Sequence, residues 1–296
     1  MPCGEGHAPL GNVILLSAED DISDTIIPRL MAAGADLNRI TILKMMREAG
    51  QERMFSLVTD LHALRQKAVE VGNVKAIIID PISAYLGIGK VDSYRATDVR
   101  AVLSPLKELT SELRTLVLGI MHFNKKTDVT NVLLRISDSL AYGAASRHVY
   151  GIINDPDNHR KLFVKGKNNL APAEQKTLAF SFDEREVGIS KTTGLPIRRP
   201  YIVWEPDPVD ITASEALQAA AESNSPGKRD NAKHFLTTLL SNGPMGSKEV
   251  LDAAKANGIS FRTLYRAKDE LAVEIRKDGP LNEKGERTWQ WHPPTK

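Results

Sequence analysis

The sequence predicts an α/β protein, a mainly parallel sheet with helices on both faces, followed by a smaller domain of three helices and a hairpin. Three observations predict it. Short, continuous apolar runs such as Asn12-Val-Ile-Leu-Leu-Ser17 and Lys75-Ala-Ile-Ile-Ile-Asp80 alternate with amphipathic helical patterns, the grammar of parallel strands buried on both faces. After about Arg147 the alternation gives way to consecutive strand candidates. From Asp230 onward the pattern becomes compact and helical.

Taken in order, the run at 12–17 is a strand. Asp and Ser capping residues come next, then a helical pattern through Ile27, Leu30 and Met31 that stops at Gly34. Ile40–Leu43 is the next strand, and a helix is expected from about Ser56 to Val71 ahead of the strand Lys75–Asp80. A Gly-containing loop leads to a helix over Ala96–Leu113 and a strand over Thr115–Met121. His148–Ile153, Lys161–Lys165, Leu178–Phe182 and Tyr201–Trp204 then read as a meander of antiparallel strands at the sheet edge. Pro206, Pro208 and Ser223-Asn-Ser-Pro-Gly227 mark a short helix and a flexible linker. The domains predicted are therefore 1–208, a linker over 209–229, and 230–296. In the last of these, helices over about 231–240, 247–256 and 260–273 precede two β-like pieces, Val273–Arg276 and Thr288–Trp291. That is the outline of a winged helix-turn-helix.

Composition narrows the classes. With 296 residues and 42% hydrophobic content the chain can bury one full core and a smaller one. The longest apolar runs fall far short of the roughly 18–20 residues that cross a bilayer, and the start has neither the basic nor the apolar part of a secretory signal. The single cysteine, Cys3, excludes an internal disulfide and a thiolate zinc cluster, so a cytoplasmic location is expected. A formal charge of +2 does not by itself announce nucleic-acid binding. Local clustering does more: Lys228, Arg229, Lys233, Lys248, Lys255, Arg262, Arg266, Lys268, Arg276 and Lys277 gather in the last third.

Three strand ends carry the groups that can do chemistry. Asp80 closes a buried strand at its C-terminal end, where open α/β sheets bind ligands. A carboxylate there can hold hydrated Mg²⁺ beside a triphosphate, or serve simply as a turn residue. Glu19-Asp20-Asp21 comes after another strand, and its carboxylates can activate a water or cap the next helix. Capping suits Asp20 or Asp21, which leaves Glu19 for chemistry. His122-Phe-Asn124-Lys125 ends a third strand, able to sense a γ-phosphate or to act as satisfied loop residues. In the C-terminal domain, Ser260-Phe-Arg262-Thr-Leu-Tyr265-Arg266-Ala-Lys268 reads as a recognition helix. Arg262, Arg266 and Lys268 lie near one face, suited to phosphates or guanine edges. A protein-docking role for the same module stays open.

The combination resembles the RecA/DnaB-like superfamily, and within it the RepA-like ATPases of plasmid and phage replication. The resemblance rests on Leu15-Leu-Ser-Ala-Glu-Asp-Asp, Ile77-Ile-Ile-Asp-Pro-Ile-Ser-Ala-Tyr-Leu-Gly, Asp98-Val-Arg-Ala-Val-Leu, His122-Phe-Asn-Lys and Val164-Lys-Gly-Lys-Asn-Asn-Leu-Ala, and it covers about Gly11–Glu205. It implies a RecA-like fold using ATP and Mg²⁺, with Glu19 as catalytic base, Asp80 as the magnesium ligand, and His122 with Asn124 as sensor. It also implies a homo-oligomeric ring, such as a hexamer, acting on DNA. Arg147 is similar in position to the family's arginine finger, Lys165 or Lys167 would reach the same phosphates, and Lys125, Lys126 and Arg135 would face a strand in the central channel. Solvated strand edges and an unpartnered surface loop remain the plain alternatives for these cations.

One element of the family pattern does not occur: no Gly-x-x-x-x-Gly-Lys-Ser/Thr string is present. Gly87-Ile-Gly-Lys90-Val, Gly166-Lys167-Asn and Gly227-Lys228-Arg lack the spacing or the terminal hydroxyl. The family places that loop just upstream of the segment beginning here at Met1. The expectation is thus an N-terminally truncated helicase or replication-associated motor, lacking the first phosphate-loop strand and helix, with impaired hydrolysis. The alternative is a non-enzymatic DNA-binding regulator of replication or transcription.

Overall fold

A computed structural model of the chain describes residues 6–293 except 49–50, 88–91, 93–94, 127–128, 137–139, 157, 159, 171–175, 191, 224–225 and 282–286. Cys3 and Lys90 lie outside the described residues.

β1 (Asn12–Ser17) leads through a π-turn at Ile22–Ile26 into α1 (Ile27–Ala32). Next along the chain are β2 (Ile40–Leu43), the hairpin β3 (Met45–Glu48) and β4 (Gln51–Met54), α2 (Leu61–Val71), β5 (Val74–Asp80), α3 (Ala96–Leu113) and β6 (Leu116–Gly119). β1, β2, β5 and β6 form one parallel sheet in the order β2-β1-β5-β6. The register sets Ile14 beside Ile77 and Leu16 beside Ile79 on one face, and Leu15, Ile78 and Leu118 in a row on the other. The first face is closed: Ile14, Leu16, Ile77 and Ile79 are fully buried beneath Leu64 and Ala68 of α2 and Val99, Val102, Leu106 and Leu109 of α3. On the second face Leu116 and Leu118 stay 60% and 46% exposed.

The sequence places a helix start at Ser56, whereas α2 begins at Leu61. The reason is Asp60, whose carboxylate accepts the Ser56 N–H and a two-pronged guanidinium contact from Arg53, which holds 56–60 as a turn. The β3–β4 hairpin has no counterpart in the sequence reading.

Beyond β6 come α4 (Val132–Arg135), α5 (Ala141–Ala145) and four strands, β7 (His148–Asn154), β8 (Lys161–Asn168), β9 (Leu178–Ile189) and β10 (Pro196–Trp204). The expected antiparallel meander exists, in the order β10-β9-β8-β7, but it is a separate sheet and not an extension of the parallel one. It closes on a core of its own: Val132, Ile153, Leu162, Val164 and Ala179 pack with Ala216 and Leu217 of α6 (Ala213–Ser223). Close approach requires glycine at 166, where a Cβ would stand 2.7 Å from Val132 Cγ1, so α4 rests directly on β8.

The last part comprises α7 (Pro226–Leu239), β11 (Met245–Gly246), α8 (Ser247–Ala256), α9 (Phe261–Glu270), β12 (Glu274–Arg276) and β13 (Gln290–His292). β11, β13 and β12 make a small antiparallel sheet. Trp291, Leu236, Leu264 and Val250 centre its core. α7 starts at Pro226, earlier than the sequence pattern indicates, so part of the expected linker is helical.

Candidate functional site

The ends of β1, β5 and β6 define one rim. Ser17 pairs with Asp80 and Ile79 with Gly119, so the three parallel strands stop at the same level. Backbone bonds fix the chain just past these ends: Ala18 N–H donates to the Asp80 carbonyl at 3.0 Å, and Ile120 N–H to the Ile79 carbonyl at 2.9 Å. Glu19, Asp80 and His122 are thereby delivered to one place. Glu19 Oε2 lies 3.7 Å from His122 Nε2, both side chains being exposed. Burial pushes the Asp80 carboxyl up from its ordinary range, and the neighbouring charges of Glu19 and Asp20 push it further, against the pull of His122.

The acidic cluster divides its labour. Asp21 caps the first turn, its carboxylate accepting the Ser23 N–H at 2.8 Å and the Asp24 N–H at 3.0 Å. The Ser23 hydroxyl and these amides hold its pKa down. Asp20 pairs with Arg29 at 3.3 Å. Glu19 is thus the member of the cluster turned toward the imidazole. Among the described residues, no group of three or more His, Cys, Asp or Glu side chains could hold a metal ion unaided. One carboxylate at a strand end, with a second nearby, nonetheless fits Mg²⁺, which keeps several waters and takes its remaining ligands from substrate phosphates.

Sequence reasoning missed Tyr85. It lies fully buried beneath the rim, its hydroxyl without a hydrogen-bond partner among the described residues, and burial together with the Asp80 charge pushes its pKa up to about 12. The signal was available in Asp80-Pro-Ile-Ser-Ala-Tyr85, where the chain turns back under the strand it has just left.

Asn124 and Arg135 clamp the loop between them. Asn124 N–H donates to the Arg135 carbonyl at 2.8 Å and its amide to the Leu134 carbonyl at 2.9 Å, while Arg135 Nη2 returns to the Asn124 carbonyl at 3.1 Å. The Arg135 guanidinium lies 5.2 Å from the centroid of Phe123, a cation–π contact. Lys125 and Lys126 are exposed on this loop. Arg147 is exposed in a groove of about 410 Å³ that it shares with Arg100 and Lys107 of α3. Lys165 and Lys167 lie on β8. Lys167 caps α5, donating to the Gly143 and Ala144 carbonyls at 3.0 and 3.2 Å. In α9, Arg262 and Arg266 are half-buried and face the end of the antiparallel sheet, and Lys268 pairs with Asp269 at 2.8 Å.

Comparison with known proteins gives one matching family model and several similar solved structures. Residues 4–128 match the family model described as an AAA domain. The structure is similar to that of a solved ATPase domain, with a TM-score of 0.45 and 14% identity over 58% of this chain and 71% of that one. It is similar to a KaiC-like protein of the archaeon Pyrococcus horikoshii, with a TM-score of 0.43 and 16% identity over 66% and 77%. For the RadB recombinase the TM-score is 0.39, with 14% identity over 58% and 76%. No curated protein matches the chain.

Proposed function

We propose, from the match of residues 4–128 to an AAA domain, that the chain is RepA-like, the RecA-type core of an ATP-driven DNA helicase or replication-associated motor. In that reading Asp80 holds the water shell of Mg²⁺, which when bound to a nucleotide neutralises phosphate charge. Glu19 accepts a proton from the attacking water. His122 reads the state of the rim, and Asn124 carries it into the loop it clamps. The observation that carries the proposal is the convergence of Glu19, Asp80 and His122, with the Asp80 carboxyl held high by burial and by negative neighbours. A site that concentrates negative charge at a strand end is ready for a cation.

The other assignments come in order of support. Lys125 and Lys126 would touch a nucleic-acid backbone, a role supported by their exposure, with Arg135 fixing the loop's shape. The exposed groove of Arg147, Arg100 and Lys107 suits completion of a neighbouring subunit's site in a homo-oligomeric ring, to which Lys165 or Lys167 of β8 would contribute. The order α7-β11-α8-α9-β12-β13 supports a winged helix whose recognition helix is α9. Without a Gly-Lys-Ser/Thr loop in these residues the triphosphate has no cradle, so hydrolysis by the chain alone is impaired. That same feature favours the second reading, a DNA-binding regulator that keeps the ATPase fold for assembly.

Electron paramagnetic resonance of Mn²⁺ titrated into the chain with ATP present tests the rim. Binding is expected to weaken about tenfold or more in Asp80→Asn, and ATP turnover on single-stranded DNA to stay at background. Unchanged Mn²⁺ affinity in Asp80→Asn would remove the metal role, and robust turnover abolished by Glu19→Gln would overturn the impaired-hydrolysis part.

A further inference from the structure

The least explained charge in the molecule lies away from the acidic rim, where α9 meets the end of the antiparallel sheet. A cleft of about 420 Å³ opens there, bounded on one side by β7–β9 with Asp155, Pro156, Asn158 and Arg160 and on the other by Phe261, Arg262, Tyr265 and Arg266. Four cations reach it, and they are unequally served. Arg160 takes Asp155 at 2.8 Å and Glu205 at 2.6 Å. Asp269 is bonded to Lys268 at 2.8 Å. Lys161 donates to the neutral Asn154 side chain. The Nε of Arg262 is buried and has no hydrogen-bond partner among the described residues.

Lys161 and Arg262 therefore converge with no carboxylate of their own among the described residues, and Arg266 adds a third positive charge beside them. Burial lowers the pKa of Lys161 and of Arg262, and the repulsion of Lys161 by Arg262, and of Arg262 by Arg266, lowers them further. Leaving a guanidinium N–H buried and unpaired costs free energy, and arranging like charges around an open cleft adds to that cost. A bound anion relieves the like-charge repulsion, because a phosphate presents several acceptor oxygens to the Lys161 ammonium and the Arg262 guanidinium that line the cleft. The cleft is also large enough for more than a phosphate: its volume lies in the range of small-molecule pockets, about 300–1,000 Å³. Phe182, 55% exposed on its wall, offers a ring on which a base can stack.

We propose that this cleft is a binding site for a nucleotide unit, its phosphate held by Lys161 and Arg262 in the field of Arg266, and its base resting on Phe182. The two walls come from different parts of the fold, so an occupied cleft holds α9 against the sheet. It also withdraws Arg262 and Arg266 from any duplex. The site does not depend on the acidic rim, and a nucleotide bound here needs no magnesium. The phosphate can belong to a free nucleotide or to a nucleotide within a single strand.

Calorimetric titration of the full chain in EDTA at low salt, with ADP, inorganic phosphate and an oligothymidylate as separate probes, distinguishes these sources. ADP binding is expected to weaken about tenfold or more in Arg262→Ala and in Lys161→Glu, and severalfold in Phe182→Ala, while Asp80→Asn leaves it unchanged. Lys161→Glu supplies an internal anion, so its Tm should rise as binding falls, an outcome that misfolding does not give. Binding of the oligothymidylate alone, with the same dependence on Lys161 and Arg262, would assign the cleft to a strand and support the site. Phosphate binding as tight as ADP, indifferent to Phe182→Ala, would overturn the base-stacking part. No binding of any probe, or binding that survives both Arg262→Ala and Lys161→Glu, would overturn the proposal as a whole. Loss of ADP binding in Asp80→Asn would overturn it as well, by assigning the nucleotide to the rim.

Discussion

The two faces of the parallel sheet have nearly the same composition and opposite fates. On one, Ile14, Leu16, Ile77 and Ile79 are fully buried under α2 and α3. On the other, Leu15 and Ile78 are only partly covered, and Leu116 and Leu118 are largely open to solvent. The residues on both faces are branched aliphatics of similar size, so hydrophobicity alone does not distinguish them. The difference lies in the supply of helices: α2 and α3 both pack on the first face, and α1 leans instead on β9 and β10. Stability on this sheet is therefore concentrated in one layer, while the second face keeps apolar surface available for a contact that the described residues do not make. Exposed contiguous apolar surface of this kind marks interaction sites in soluble proteins, in keeping with the ring assembly proposed above.

The largest effect expected from this asymmetry is on unfolding free energy. Ile77→Ala removes a fully buried side chain beneath two helices and should cost about 2–5 kcal/mol. Leu118→Ala, an equivalent truncation one position along the neighbouring row of the sheet, should cost less than about 1 kcal/mol, because much of its side chain never left water. Urea denaturation of both variants, read by far-ultraviolet circular dichroism, checks the ratio. Equal losses would mean that the second face is covered in solution, and the contrast between the faces would be gone.

A second test acts on the edge of the closed face, where α2 begins. Asp60 is 2% exposed and accepts from Arg53 at 2.6 and 2.7 Å and from the Ser56 N–H at 2.9 Å. The Arg53 guanidinium, ahead of the backbone contact, holds its carboxyl at about 2, against an opposing contribution from burial. Asp60→Ala should cost about 2 kcal/mol, below the usual loss for a buried pair because the Arg53 side chain is 38% exposed and remains solvated. The pH dependence has a definite sign. A carboxyl that binds protons less readily when folded contributes stability above its unfolded pKa near 4, and that contribution disappears as pH falls through about 2. The gap between wild type and Asp60→Asn should accordingly be full at neutral pH and narrow between about 4 and 2. A constant gap would assign the loss to geometry and not to charge.

How much of this was legible in the sequence depends on the range of the forces involved. β1, β5 and α3 emerge from local periodicity, and the rim emerges because three of the strand ends carry Glu19, Asp80 and His122, residues whose chemistry is visible without coordinates. The separate antiparallel sheet was not legible, since pairing partners depend on which core the strands close over, and Leu162 and Val164 find theirs in α6, far along the chain. Nor was the uncovered face: an apolar alternation states that a residue prefers burial, not that a helix is available to bury it. The cationic cleft needed coordinates for the same reason, because Lys161 and Arg262 are far apart in the sequence and meet only through tertiary packing.

The smallest expected effect lies where the closed face opens onto the rim. Asp80 has its carboxyl raised by burial and then by Glu19 and Asp20, so the folded chain binds its proton more readily than the unfolded chain does. Wild-type stability should then decline as pH rises from the ordinary aspartate range through the raised value, with the cost persisting above it. Asp80→Asn removes the charge and keeps the shape, and at neutral pH it should raise Tm by no more than about 2 °C, since the group is partly solvated. The sign matters more than the size. A rise means that the fold tolerates a repelled carboxylate at a strand end, as a cation site requires. A fall in Tm measured by scanning calorimetry would show that Asp80 stabilises the turn beneath it, and the acidic rim would then be an ordinary strand end.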